Sequence, residues 1–313
     1  MPTDEELRPA QRQLLVLLGF DMETDVGSWT PFYTGLTEGT PRILELLQKK
    51  NATGTFFFVG DAARAHPEVV RSVLQAGHEV GCHSLYHETV GDPLFPIPGV
   101  YPLLPEEVPL RIRRATELVE DACGSKVLSF RSPRLWGSSA VLRALAELGY
   151  IADASYPLYY YRERLAPYYP AADDWTREGD LPVLEVPNFA DISQPKKDVY
   201  GRDADQWPVF RTQGAHALMQ SVKRFIAYAD ARLPAGVPLV LCFYMHPWEF
   251  APMPQGPIHY GEGSVIPDPF IVEGCGETAV TQLGVLLDAL SEIGCGYVTA
   301  AELARVWPEL APS

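Results

Sequence analysis

The chain predicts an α/β fold in which parallel strands close into a barrel with helices outside. Short apolar runs alternate with segments of helical period along the 313 residues, the pattern of repeated βα units around a parallel sheet. Eight apolar runs against about seven helical segments favour a barrel over an open sheet. Polar, chemistry-bearing residues follow the apolar runs directly, and in such barrels the C-terminal strand ends form the reactive face.

In chain order the candidate strands are Leu14–Phe20, Thr53–Val59, His78–Cys82, Val127–Phe130, Ile151–Ala154, Pro182–Val186, Leu239–Met245 and Gly296–Thr299. The first helix opens at Thr40-Pro41, an N-cap followed by proline at the first helical position. Asp61–Ala76 ends at Gly77, Glu106–Cys123 at Gly124, and Ser138–Leu148 at Gly149, each glycine a natural helix stop. Ala215–Arg232, Glu277–Ile293 and Ala300–Val306 complete the helices. Two segments break the alternation: Gly91–Pro105 and Pro157–Arg211, rich in Pro, Tyr, Asp and Trp. Long irregular connections of this kind commonly wall or cover a site. No repeat, linker or low-complexity tract appears, so residues 1–313 read as one domain with its core at about 14–307.

A hydrophobic fraction of 47% with 21% charged residues is ordinary for a globular chain. The net charge of −15 argues against nucleic acid as a partner, because a phosphate backbone needs clustered Lys and Arg. No segment approaches the ~20 apolar residues a membrane span requires. The start, MPTDEELRPAQRQ, is acidic and polar and does not read as a secretory leader. Cys82, Cys123, Cys242, Cys275 and Cys295 are scattered and odd in number, which suits reduced packing residues better than disulfides or zinc clusters. A cytoplasmic location is the expectation.

Gly19-Phe20-Asp21-Met22-Glu23-Thr24-Asp25 runs an apolar strand into three acids at alternate positions. Alternate residues share a face, so Asp21, Glu23 and Asp25 converge if the chain stays extended. Alone, such a stretch is more often a solvated acidic loop. Gly81-Cys82-His83-Ser84-Leu85-Tyr86-His87 follows the third run. Histidines at i and i+4 share one face of a helical turn, as in the HExxH zinc motif. A carboxylate with two imidazoles is a common catalytic zinc set that leaves a position open for water. His66, His78, His216 and His259 lack such company and read as surface or packing residues.

Ser129-Phe130-Arg131-Ser132-Pro133-Arg134-Leu135-Trp136-Gly137 follows the fourth run. An arginine at a strand end can hold a buried carboxylate ionised; the bland alternative is a surface ion pair. Asp153-Ala154-Ser155-Tyr156 follows the fifth run and is weak by itself. Met245-His246-Pro247-Trp248-Glu249 closes the long run Val237–Met245. A histidine ending so apolar a strand is either capped locally or faces a site.

At these five places, from about Leu14 to Trp307, the sequence resembles the polysaccharide deacetylase (chitooligosaccharide deacetylase) superfamily. Thr55-Phe56-Phe57-Phe58-Val59-Gly60 and Ala76-Gly77-His78-Glu79-Val80-Gly81 support the resemblance. It implies a distorted (β/α) barrel of seven to eight parallel strands holding one divalent metal ion, zinc first, with cobalt or nickel as alternatives. Residue by residue it implies Asp21 as catalytic base, His83 and His87 as metal ligands, and Arg131 as the group orienting the base. His246 matches the general acid, Asp153 the acid that pairs with it, and Trp136 a pocket wall. Tyr156 and Trp248 are further substrate-binding candidates, with Tyr159, Tyr160, Tyr161, Tyr168, Tyr169 and Trp175 as ring-stacking or roofing aromatics.

Two departures matter. The family's first motif has adjacent aspartates, and Met22 stands where the second, metal-binding one belongs; Glu23 is the candidate ligand, with Asp25 competing. The third motif is longer than the family's compact form, which leaves the oxyanion donor open; the metal together with a backbone N–H in the Arg131–Gly137 loop is the expectation. The His-Pro-Trp-Glu ending resembles the branch containing peptidoglycan deacetylase-like, allantoinase-like and cyclic imide hydrolase proteins. The implied activity is hydrolysis of an N-acyl amine, an N-acetylated sugar by default. A small cyclic amide or imide is the second reading, and an inactive carbohydrate-binding barrel the third. The expected partner is that small-molecule or carbohydrate substrate, without nucleic acid or membrane, and a homo-oligomer is compatible with the sequence.

Overall fold

The computed structural model describes residues 12–311; the acidic start, read above as no secretory leader, falls almost wholly outside them. The strands are β1 (Leu14–Met22), β2 (Thr55–Phe58), β3 (Glu79–Cys82), β4 (Ser129–Phe130), β5 (Ala152–Asp153), β6 (Leu184–Glu185), β7 (Leu239–Met245), β8 (Ile258–Tyr260), β9 (Gly263–Val265) and β10 (Gly296–Tyr297). β1 is buried along its whole length because both its edges are paired. One edge carries β7 in parallel, from Leu14 opposite Leu239 to Phe20 opposite Met245. The other is shared in tandem by β10, opposite Leu15 and Val16, and β2, opposite Gly19 to Met22. From β2 the sheet runs through β3, β4 and β5 to β6. Beyond β6, the chain meets β7 at one bridge, Asn188 with Cys242, where the Phe189 N–H donates to the Cys242 carbonyl at 2.7 Å. The strands thus curl into the expected distorted parallel barrel.

Alternation along the strands sorts side chains between two cores. Leu15, Leu17, Phe57, Ala152, Ala154, Leu184, Val186, Val240 and Cys242 fill the barrel. Val16, Leu18, Phe20, Met22, Phe56, Phe58, Phe130, Leu241 and Phe243 face the helical layer. Asp21 and Glu23 continue the inward series of β1, and Met22 the outward one. That parity alone decides which residue after the strand reaches the interior.

The helices fall where their signals lie, with one break. The expected helix over 61–76 is two, Gly60–Ala65 and Pro67–Gln75. Pro67 offers no N–H to continue the first and forces His66 out of helical geometry (φ −130°, ψ 58°). Ala300–Leu310 opens on a reciprocal cap between Thr299 and Glu302. The β8–β9 hairpin was not expected; it turns at Gly261, whose φ is +52°. All five cysteines are free, with Cys82 and Cys242 buried. Among the described residues no helix is long and apolar enough to cross a membrane.

Candidate active site at the strand ends

β1 delivers Asp21 and Glu23, β3 leads to His83 and His87, β4 to Arg131, and β7 to His246. Arg131 is fully buried and Nη1 donates to Asp21 Oδ1 at 2.9 Å. Its Nε donates to the Ala154 carbonyl at 3.0 Å, and its guanidinium lies over the Phe57 ring at 4.5 Å. Gly19 makes room for it, since a Cβ there would fall inside the guanidinium. Breaking such a buried pair by deleting one partner costs about 3–5 kcal/mol.

Glu23, buried, faces three histidines. His87 Nε2 is 2.6 Å from Oε2 and His246 Nε2 is 3.9 Å from Oε1. Trp248 Nε1 donates to Oε1 at 3.2 Å and Ser28 Oγ to Oε2 at 3.1 Å. Burial pushes the Glu23 carboxyl up, but His87, with His246 and His83, outweighs it and holds the group far below the usual carboxylate range. His83 donates Nδ1–H to the Arg131 carbonyl at 2.7 Å, which leaves Nε2 for the site. Burial, only partly offset by Asp21 and Glu23, pushes its imidazole down to about 4, so it is neutral at physiological pH.

The donor atoms of Glu23, His83 and His87 lie within 4.8 Å of one another. The set fits a divalent ion: one ionised carboxylate, plus a neutral imidazole whose free nitrogen is selected by a hydrogen bond at the other. His87 Nδ1 is buried without a hydrogen-bond partner among the described residues. Asp25, the competing acid, is committed elsewhere. Its carboxylate accepts the backbone N–H groups of Thr34 (3.0 Å) and Gly35 (2.7 Å) and so organises the turn after β1.

The two histidines meet by a route other than the expected helical turn. Residues 83–88 form an irregular loop, with Ser84 and His87 at φ 67° and 59°. Left-handed backbone costs about 1–2 kcal/mol per non-glycine residue. Glu88 offsets it by gathering Tyr86 N–H at 2.6 Å, Ser84 Oγ at 3.1 Å and Leu85 N–H at 3.4 Å.

The partner expected for His246 requires correction. His246 Nδ1 lies 3.0 Å from Glu249 Oε1, not beside Asp153. Glu249 also accepts the His246 backbone N–H at 2.8 Å, and its second oxygen takes the Nε–H of buried Arg211. Burial pushes the His246 imidazole down, but the Glu249 hydrogen bond, Glu23 and Asp21 outweigh it and raise it above the ordinary value. Asp153 lies between Ala152 and Ala154 on β5, on the face that points out of the barrel. It accepts Ser155 Oγ and shares its register with Glu185. Burial raises both carboxyls.

A cavity of about 340 Å³ opens over this cluster. Trp248 lines it, stacked on His246 at 5.1 Å. Tyr156 and Trp136 do not. Tyr156 is buried against Tyr161, Tyr168 and Trp175, an aromatic core behind β5 and β6. Trp136 is buried behind Phe95, which does line the cavity. The walls come from Trp29, Phe95, Ile97, Trp207 and Phe270, so both irregular segments contribute, through other residues than the tyrosines. The Leu135 and Trp136 N–H groups are bonded to the Ser132 and Pro133 carbonyls, which removes both from the oxyanion donors expected of that loop. Among the other histidines, His216 and His259 are exposed and His78 packs on Phe56.

Fold and site together define a distorted parallel (β/α) barrel with a candidate metal centre at its strand ends. Residues 12–152 match the family described as polysaccharide deacetylase, the stretch that carries Asp21, Glu23, His83, His87 and Arg131. The chain is 30% identical over 111 residues to a chitooligosaccharide deacetylase of Azorhizobium caulinodans, covering 35% of this chain and 48% of that protein. It spans less than half the length of that relative and of others like it. The whole fold resembles a "probable polysaccharide deacetylase" from Pseudomonas aeruginosa PAO1, with TM-score 0.64 and 15% identity over 98% of this chain and 94% of that one. It also resembles Puue allantoinase, with TM-score 0.62 and 15% identity over the same shares of the two chains.

Proposed function

We propose that this chain is a metal-dependent hydrolase of carbon–nitrogen amide bonds, acting on N-acyl compounds such as N-acetylated sugars. The observation that carries the reading is that two candidate proton-transfer groups, buried Asp21 and half-buried His246, line one cavity together with Glu23, His83 and His87. Asp21 is pinned by Arg131, and His246 by Glu249. Glu23, His83 and His87 would hold the ion, which when bound supplies Lewis-acid polarisation of the amide carbonyl and acidifies water. Asp21 accepts the attacking water's proton at the carboxylate oxygen not engaged by Arg131. His246 keeps its Nδ1–H on Glu249 and presents Nε2 as the donor to the leaving nitrogen. The aromatic walls exclude bulk water around this transfer.

A second reading keeps the chemistry and changes the substrate to a small cyclic amide or imide. The walled cavity of about 340 Å³ favours it, being sized for one small ligand, as does the likeness in fold to an allantoinase. The test is an assay of N-acetyl sugars, cyclic imides and allantoin with zinc, cobalt or nickel, run with three variants. Asp21→Asn is expected to keep its metal and lose nearly all turnover. Glu23→Gln and His83→Ala are expected to lose metal affinity, with partial rescue by excess ion. Full activity in chelator-treated His83→Ala would remove the proposal.

A further inference from the structure

We propose that Arg134 anchors a carboxylate on the substrate, so that the natural substrates are small N-acyl compounds bearing an acid group. This rests on the amide-hydrolase reading of the same site. Arg134 lines the cavity together with Glu23, His83, His87 and His246. It differs from the other arginines of this face. Arg131 is paired with Asp21, Arg202 with Asp205 at 2.7 Å, and Arg211 with Glu249. Arg134 has no salt bridge among the described residues, and its one hydrogen bond there is long, Nη1 to the His87 carbonyl at 3.4 Å. In a chain of net charge −15, an arginine left without a counter-ion inside a site is unexpected on composition alone.

The side chain is built into place. Trp29 and Trp136 flank its guanidinium, each ring centroid 5.9 Å away, which fixes its plane. Arg134 and the next residue, Leu135, both hold left-handed backbone, at φ 59° and 60°. Such geometry persists where the surroundings over-determine it, often at a ligand clamp. Glu23 is not the guanidinium's counter-ion, because its oxygens already face His87, Trp248 and Ser28. Val26, Phe95, Ile97 and Phe270 add an apolar stretch of wall. A planar acid on a compact, partly apolar body fits this combination.

Two pairs of probes that differ mainly in the acid test it, and also separate sugar from non-sugar sources. They are N-acetylmuramic acid against N-acetylglucosamine, and N-acetylphenylalanine against N-acetyl-2-phenylethylamine. The metal-loaded protein is expected to favour the acid member of at least one pair by on the order of 100-fold in kcat/KM, carried in KM. Arg134→Met should collapse that preference while bound metal stays at the wild-type level. Arg134→Lys should keep part of it, having the charge without the planar fork. Tryptophan fluorescence gives a readout independent of turnover: 3-phenylpropionate should bind, 3-phenylpropan-1-ol should not, and Arg134→Met should lose the difference. No acid preference in wild type, or a loss in Arg134→Met that falls equally on both members and in kcat, overturns the anchor. Hydrolysis of neutral amides without acid preference keeps the hydrolase and removes the anchor. Acid binding lost in Arg134→Met, with no amide hydrolysed, keeps the anchor and removes the hydrolase.

Discussion

His246 is held by groups from three separated parts of the chain, and its behaviour depends on all of them. Glu249 is held below the ordinary carboxylate range because Arg211 and His246 together outweigh its burial, so it stays an acceptor for His246 Nδ1–H. The proposed mechanism uses protonated His246, whose proton is lost as pH rises through its elevated value. The alkaline limb of kcat/KM is therefore expected above the ordinary histidine pKa of about 6.5. Glu249→Gln removes the charge that lifts it and should move that limb to lower pH while metal content holds. A limb that does not move in Glu249→Gln would assign the donor to another group. Asp21, Glu23, His83 and His87 were legible because each closes an apolar run at the reactive end of a strand. Arg211 was not, since it lies 38 residues from Glu249 and nothing local marks the pairing. Glu249 was visible in the His-Pro-Trp-Glu string but had no evident role without the fold. Asp153 was misread for want of a parity argument, because flanking alanines at 152 and 154 already occupy the barrel interior.

At the scale of elements, the strands deliver the chemistry and the loops aim it. Parity along β1 separates Glu23 from Met22 as soon as Leu15 and Leu17 are assigned inward, and this was readable from sequence. The turn at 83–88 was not, because an HxxxH spacing reads equally well as a helical turn and the left-handed residues leave no compositional mark. Glu88 touches no ligand atom of the cluster, yet its carboxylate gathers the loop between the two histidines. Glu88→Gln should accordingly weaken metal affinity by roughly 10–100-fold, the usual effect of removing an outer support of a metal ligand. Calorimetric metal titration of the two proteins checks this. Equal affinities would mean that the loop holds its shape without Glu88.

For the molecule as a whole, all eight expected parallel strands are present and each expected helix is found, one split at Pro67 and the last extended to Leu310, because periodicity and glycine stops are local signals; short helices such as Leu158–Tyr161 and Pro269–Val272 were not expected. The cavity's lining was illegible for the opposite reason: Trp29, Phe95, Trp207 and Phe270 come from four distant segments of the chain. An ion bound by the folded chain alone should stabilise it by about 2.7 kcal/mol at a free concentration 100 times Kd. Melts with and without chelator should therefore separate by several degrees in wild type and coincide in His83→Ala. One further property follows from how the strands are joined. β1 and β7 are laced over seven consecutive residue pairs, whereas the chain just past β6 meets β7 at one bridge, Asn188 with Cys242. The wall is a sleeve stitched firmly on one side and pinned at a single point on the other. Amide deuteration should reach Phe189, whose N–H forms that pin, well before the amides of β1 and β7. Slow movements of the wall would then start as a slit there, beside Arg131, whose Nη2 lies 3.4 Å from Cys242 Sγ.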